Sequence, residues 1–120
     1  MRFLLLNGLD DGFLKRFLDE TLKPLGTLNA VSASHGVPPG EEPDGLIIVD
    51  ATAVERPEVM VKQLRAERWE RRIVVLTASP SWGRARAAFE AGAMDYLSKS
   101  LTMAEMREAF QQALSKPWPR

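Results

Sequence analysis

Short apolar runs that alternate with amphipathic segments are the feature that most constrains how this chain can fold. The apolar runs fall at residues 3–6, 28–33, 46–49, 73–76 and 94–97. The segments between them mix polar and apolar residues with the three-to-four-residue spacing of helices that pack on one side. These segments cover residues 13–22, 57–68, 82–91 and 102–114. Strands that alternate with helices predict a parallel sheet joined by right-handed crossovers.

Local signals mark where these helices begin and end. Pro57 stands at a first-turn position, where its missing N–H costs least. Gly92 follows the segment 82–91 and suits the left-handed residue that closes many helices. Thr102 and Glu105 have the spacing of a capping box, in which each residue bonds the backbone of the other. These signals support the boundaries that the apolar spacing predicts.

Residues 34–45 interrupt the alternation. This stretch holds three prolines and three glycines. Proline removes a backbone donor and glycine loses the most entropy in a helix, so neither supports a long helix. We therefore expect at most one helical turn between the second and third strands, and the second helix to be shortened or missing.

The predicted fold class is α/β. Five strands connected in this way most often form a flavodoxin-like, doubly wound parallel sheet in the order 2-1-3-4-5. The 120 residues suit one domain, so we expect a single domain over residues 1–120 with a tail at 116–120. Ligands of such sheets bind outside the carboxyl ends of the strands, which is where chemistry is expected.

Composition narrows the classes of function. The chain has no cysteine, which excludes disulfide scaffolds, thiol nucleophiles and cysteine-ligated metals. Its 16 basic residues balance 16 acidic ones, so it lacks the basic excess of most nucleic-acid-binding proteins. The local basic cluster at residues 65–72 is interpreted as a solvated helix end. With no long apolar run and no signal peptide, the sequence predicts a cytoplasmic domain that binds neither membrane nor nucleic acid.

Polar side chains follow four of the predicted strands. Asn7 and Gly8 come after the first strand, Asp50 after the third, Thr77 after the fourth and Lys99 after the fifth. Because the carboxyl ends of parallel strands meet at one edge of a sheet, these residues are expected to lie close together. The sequence thus predicts a site that combines a carboxylate, a hydroxyl and an ammonium group.

At these strand ends the sequence resembles the receiver domain of response regulators in two-component signalling, over essentially its whole length. The resemblance is carried by residues 47–50 (IIVD), 74–78 (VVLTA) and 91–99 (AGAMDYLSK). It implies that Asp50 is the phosphoacceptor and that Thr77 and Lys99 contact the phosphoryl group. It also implies that Tyr96 is the switch aromatic, with a histidine kinase as phosphodonor and a bound Mg²⁺.

The end of the first strand departs from the family pattern. Receiver domains carry two adjacent acidic residues there to hold Mg²⁺, whereas this chain has Asn7 and Gly8. Magnesium prefers carboxylates among hard oxygen ligands, so we expect a degraded metal site with no cofactor beyond weakly bound Mg²⁺. Asp10 and Asp11 could replace the missing acids, but they are better interpreted as charges at the start of the first helix. Without the metal, Asp50 and Lys99 are expected to pair directly.

Two signalling functions and one enzymatic function remain open. The first is a Mg-deficient receiver-like domain without enzyme activity, which docks on a signalling partner such as a histidine kinase or an output protein. The second is a working single-domain response regulator that a histidine kinase phosphorylates on Asp50. The third, a flavin or nucleotide enzyme, is disfavoured because residues 7–12 lack a phosphate cradle and carry acids.

A partner face is expected on the fourth helix and fifth strand of the receiver pattern. Trp82, Arg84, Arg86 and Tyr96 would lie there, and exposed tryptophan and arginine suit interface anchors. We expect no effector domain after the tail at 116–120, so any output is expected to pass through a partner. The protein itself is expected to be a monomer or a weak homodimer.

Overall fold

The computed structural model describes residues 1–8 and 12–117, apart from the side chain of His35. Its elements, in chain order, are β1 (Arg2–Asn7), α1 (Gly12–Leu22), β2 (Thr27–Ser32), a 3₁₀ turn (Ala33–His35), β3 (Leu46–Asp50), α2 (Pro57–Glu67), β4 (Arg72–Thr77), α3 (Trp82–Ala91), β5 (Asp95–Ser98) and α4 (Met103–Ser115). Gly92 closes α3 with a φ of 113°, and the Thr102–Glu105 capping box opens α4, both as predicted.

The strands form one parallel sheet in the order β2-β1-β3-β4-β5, which confirms the predicted topology. Strands β2 and β5 are each shifted by one residue from the predicted run, and β1, β3 and β4 extend beyond theirs by one residue at one end or both. The reason at β5 is that the buried Met94 donates its N–H to the Ile73 carbonyl at 2.7 Å just before the ladder begins. The apolar run of the sequence therefore begins at Met94, one residue before the first paired residue of β5.

Helices cover both faces of the sheet. Alternate strand residues point to opposite faces, so Leu5 and Ile48 pack beneath α1 and α4, while Leu6 and Val49 pack beneath α2. All five residues of β3 are buried because this strand lies at the centre of the sheet. Asp50, the last residue of β3, is therefore buried at the carboxyl edge of the sheet.

The helix expected to be shortened or missing between β2 and β3 is indeed missing. Only the 3₁₀ turn Ala33–His35 forms, and the Pro- and Gly-rich loop then runs back towards β3. Arg71, at the start of β4, holds this loop through two bonds to Glu42: Nε to Oε1 at 2.7 Å and Nη2 to Oε2 at 2.8 Å. This bidentate pair fixes the loop against the start of β4.

Arginines of the basic cluster at residues 65–72 hydrogen-bond to backbone carbonyls and so hold parts of the fold together. The Nη1 atom of Arg71 also donates to the Leu64 carbonyl at 2.9 Å, and Arg71 is only 8% exposed. Arg65 donates to the Arg71 carbonyl at 2.8 Å, and Arg72 to the Ala113 carbonyl at 2.9 Å. The expectation of a solvated cluster was therefore wrong for Arg71, because Glu42, which binds its guanidinium at two atoms, lies 29 residues away along the chain.

None of the described helices can cross a membrane. The longest of them, α4, has 13 residues, whereas a span needs about 20 apolar residues.

We predict that Glu42→Gln lowers the free energy of unfolding by about 1–2 kcal/mol at pH 7, because the charged half of the bidentate pair is lost. The hydrogen bond from Arg71 lowers the pKa of Glu42 below its ordinary value of 4.5. The unfolded chain therefore takes up the proton first as the pH falls. Urea denaturation should show the difference fully at neutral pH and shrinking progressively below about pH 4.5.

The control for this prediction is Glu108→Gln, which removes an exposed charge from α4. Its stability should match that of the parent protein at both pH values. A Glu42→Gln deficit that does not change with pH would contradict the assignment of this energy to the ionised pair.

Candidate functional site

An ion pair stands at the centre of the carboxyl edge. Lys99 follows β5, and its Nζ lies 2.6 Å from Oδ1 of Asp50 at the end of β3. The Asp50 side chain is 1% exposed and that of Lys99 17%, so solvent screens the pair weakly. The direct pairing expected from the sequence is thus present.

Thr52 hydrogen-bonds to both members of this ion pair. Its Oγ1 donates to Asp50 Oδ1 at 2.8 Å, and its backbone N–H donates to the same oxygen at 3.1 Å. Lys99 Nζ in turn donates to Thr52 Oγ1 at 3.2 Å. We call these residues the Asp50–Thr52–Lys99 triangle. The sequence analysis missed Thr52, although an aspartate that bonds the backbone two residues on is a common turn.

Thr77 lies at the same edge but turns towards its own loop. The residue is 3% exposed, and its Oγ1 accepts the Ser79 N–H at 3.1 Å. Its carbonyl accepts the backbone N–H of Lys99 at 2.8 Å, which fixes where Lys99 leaves the sheet. Among the described residues the Thr77 hydroxyl has no hydrogen bond to the triangle.

Asn7 and Gly8 occupy the end of β1. Asn7 is 8% exposed, and its side-chain oxygen accepts the Gly8 N–H at 2.8 Å. A Cβ added to Gly8 would lie 3.0 Å from the Cβ of Ala53 and 3.2 Å from its Cα, so the β3–α2 loop packs tightly there. Asp10 and Asp11 lie outside the described residues. No cluster of three or more acidic, histidine or cysteine side chains that could hold a metal occurs among residues 1–8 and 12–117.

Tyr96 on β5 borders a cavity beside the triangle. The cavity has a volume of about 500 Å³ and lies between the β3–α2 loop, the β4–α3 loop and α3. Tyr96 is half-buried, and its hydroxyl is fully buried with no hydrogen-bond partner in the part of the chain that the structure describes. Glu58 and Arg84 bring charges of opposite sign to the cavity wall. Tyr96 is therefore less available to a partner than the sequence suggested.

The outer surface of α3 is apolar and basic. Trp82 is 82% exposed and Phe89 48% exposed. They are seven residues apart, which places them on the same side of the helix. Arg84 and Arg86 are exposed, and Arg86 pairs with Glu90 at 3.0 Å. Phe89 was missed by the sequence analysis, although its spacing from Trp82 could have revealed it.

Solved structures of response regulators and their receiver domains share this architecture. A response regulator from Thermotoga maritima is 18% identical, with a TM-score of 0.80 over 96% of this chain and 98% of its own. An orphan response regulator of H. pylori is 19% identical, with a TM-score of 0.78 over 95% and 96%. The beryllofluoride-activated NtrC4 receiver domain is 16% identical, with a TM-score of 0.81 over 94% and 95%.

These likenesses establish the fold. The chain has the receiver-domain fold over nearly its whole length, as the resemblance implied. No protein-family model matches the sequence, and no curated protein matches it significantly. Identities below 20% mean that the roles of individual residues must be argued from this chain's own geometry.

We predict that Lys99→Met destabilises the protein by about 3–5 kcal/mol, because it leaves the buried Asp50 carboxylate without a counter-charge. The double variant with Asp50→Asn should recover much of the loss. In a double-mutant cycle measured by urea denaturation, the coupling should reach about 2 kcal/mol or more.

A matched cycle on Lys116 and Asp95 serves as the control. These side chains are 3.9 Å apart and 44% and 20% exposed, so their coupling should stay below about 1 kcal/mol. Equal coupling in the two cycles would show that burial adds nothing to the Asp50–Lys99 pair.

We further predict that Gly8→Asp costs about 1–3 kcal/mol of stability, because its Cβ must displace Ala53. Gly8→Ala should cost a similar amount, since it adds the Cβ without the charge. Asn7→Asp should cost less, because a carboxylate can still accept the Gly8 N–H. Thermal unfolding of the three variants tests this order, and a neutral Gly8→Ala would contradict it.

Proposed function

We propose that the protein is a receiver-like domain of two-component signal transduction that is Mg-deficient and acts by protein–protein docking. The single observation that carries this proposal is the direct ion pair between Lys99 and the buried Asp50. In this arrangement the ammonium neutralises the carboxylate that a divalent ion would otherwise need.

The residues at the end of β1 argue against a working magnesium site. Mg²⁺ requires oxygen ligands in near-octahedral geometry and gives up its water reluctantly, so carboxylates drive its binding. Asn7 supplies one amide oxygen, which already accepts the Gly8 N–H, and Gly8 supplies no side chain. Among the described residues Asp50 alone offers a carboxylate at a strand end of this edge, and it would have to hold the ion in competition with Lys99. These oxygen donors do not fit Mg²⁺, and the proposed docking function does not use the metal.

The exposed surface of α3 is the proposed docking face. Trp82 and Phe89 lie on one side of α3 with Arg86, whereas Arg84 lies on the side that lines the cavity. Buried aromatic and arginine side chains are the commonest hot spots of interfaces. Tyr96 would act from the cavity beneath this helix rather than as a direct contact.

The partner is proposed to be a signalling protein, either a histidine kinase or an output protein. The balanced charge of the chain and the internal use of its arginine cluster support a protein partner over nucleic acid. We propose a non-enzymatic module that is cytoplasmic and works as a monomer or a weak homodimer.

One observation favours the alternative, a regulator phosphorylated on Asp50. Asp50, Thr77 and Lys99 lie at the strand ends that the resemblance requires, and one structurally similar protein is a beryllofluoride-activated receiver domain. Titration with Mg²⁺ and beryllofluoride separates the two functions.

We predict that millimolar Mg²⁺ with beryllofluoride leaves the tryptophan fluorescence of the protein unchanged, because Lys99 holds Asp50. The Asn7→Asp variant, which adds a carboxylate beside Asp50, should bind Mg²⁺ at least about tenfold more tightly by calorimetry. Saturable binding of both ions by the parent protein would reject Mg-deficiency and support the alternative.

We predict that Trp82→Ala and Phe89→Ala each weaken binding to the signalling partner by about tenfold or more, since interface aromatics commonly contribute over 1 kcal/mol. Phe13→Ala is the matched control, because Phe13 is 75% exposed on α1. Its affinity should equal that of the parent protein in surface plasmon resonance with candidate kinases and output proteins. Equal loss in all three variants would reject α3 as the docking face.

A further inference from the structure

The hydroxyl of Thr52 lies between a carboxylate and an ammonium group. Thr52 Oγ1 donates to Asp50 Oδ1 at 2.8 Å and accepts from Lys99 Nζ at 3.2 Å. A hydroxyl within hydrogen-bond reach of a base that a third group orients is the usual arrangement of an activated nucleophile. Here Lys99 orients the base, since its Nζ lies 2.6 Å from the same Oδ1.

Exposure distinguishes the two oxygen nucleophiles of the triangle. The Asp50 side chain is 1% exposed, whereas Thr52 is an exposed residue of the β3–α2 loop and also lines the cavity beside Tyr96. A small donor arriving from solvent or through the cavity therefore meets the hydroxyl before the carboxylate.

Charge also favours the Thr52 hydroxyl over the Asp50 carboxylate as the group that attacks phosphorus. A carboxylate that attacks an anionic phosphoryl group brings two negative charges together, and no acidic cluster suited to a neutralising metal is present among the described residues. The neutral hydroxyl of Thr52 avoids that repulsion, and Lys99 stands beside it to hold the phosphoryl oxygens. Protein kinases use the same combination of an acceptor hydroxyl, an aspartate base and a lysine.

We infer that Thr52 is a phosphoryl acceptor that takes the group from a small acyl phosphate, with Asp50 as general base. The bond between Thr52 Oγ1 and phosphorus forms as the bond between phosphorus and the bridging oxygen of the donor breaks. The carboxylate of the donor leaves with that electron pair. The hydroxyl proton passes to Asp50 Oδ1 and then to water, so the products are phosphothreonine and a free carboxylate.

This modification goes beyond the proposed docking function and does not depend on it. A phosphoryl group on Thr52 would place two negative charges next to Lys99 and at the mouth of the cavity. Its ester linkage also differs from the acyl phosphate that Asp50 would form, and the two can be told apart chemically.

The test is incubation of the full chain with acetyl phosphate in EDTA, followed by intact mass and peptide mapping. We expect a gain of one phosphoryl group on Thr52 that survives neutral hydroxylamine, which cleaves acyl phosphates but not phosphothreonine. Thr52→Ser should retain the label, while Thr52→Val and Thr52→Ala should lose it. Asp50→Asn should slow labelling by about a hundredfold, because the general base is lost.

Thr27→Val is the matched control, since Thr27 is an exposed threonine at the start of β2, far from the triangle. It should label like the parent protein, and circular dichroism should show every variant folded. Absence of a label, a label cleaved by hydroxylamine, an acetyl adduct, or a label that persists in Thr52→Val would overturn the inference. A missing label leaves the docking proposal intact, because that proposal is tested separately through Trp82 and Phe89.

Discussion

A carboxylate buried to 1% exposure needs a counter-charge, and the sheet topology determines where that charge comes from. Asp50 ends the central strand β3, and Lys99 follows β5, two strands away in the sheet. The backbone bond from Lys99 to the Thr77 carbonyl on the intervening strand brings the lysine over the edge. The ion pair therefore joins three strand ends, and Thr52 ties the β3–α2 loop to the same oxygen.

The fold was largely predictable because its signals are local. Fully apolar runs such as 46–49 indicate strands buried on both faces, and the strand–helix alternation leaves few topologies. The absence of a helix between β2 and β3 was also predictable, because Pro and Gly disfavour a helix through their own backbone conformation. The bond that holds the replacing loop was not, because Arg71 and Glu42 are 29 residues apart and no local pattern links them. The same reason explains why Arg71 was assigned to a solvated cluster.

The site was predictable to the level of which strand ends meet. Strand-end reasoning placed Asp50 and Lys99 at one edge, and the structure brings them into contact. It could not determine the direction of a hydroxyl: the Thr77 hydroxyl accepts the Ser79 N–H, and its contact with a phosphoryl group stays a prediction. Thr52 escaped notice because it lies beyond the strand end, in the loop. Phe89 escaped because the exposed side of this helix was read from Trp82, Arg84 and Arg86 without following the seven-residue spacing from Trp82.

The ion pair and the proposed docking face together suggest how signalling could work without phosphorylation of Asp50. The loop from Thr77 leads directly into α3, whose N-cap is Ser81 and whose first residue is the exposed Trp82. A switch requires two states that a ligand stabilises unequally. With Lys99 paired to Asp50, and under the proposed Mg-deficiency, we expect one favoured state at the carboxyl edge of the sheet, so that α3 keeps a constant conformation. Control would then rest on the amount of partner, or on a charge added at Thr52 beside Lys99.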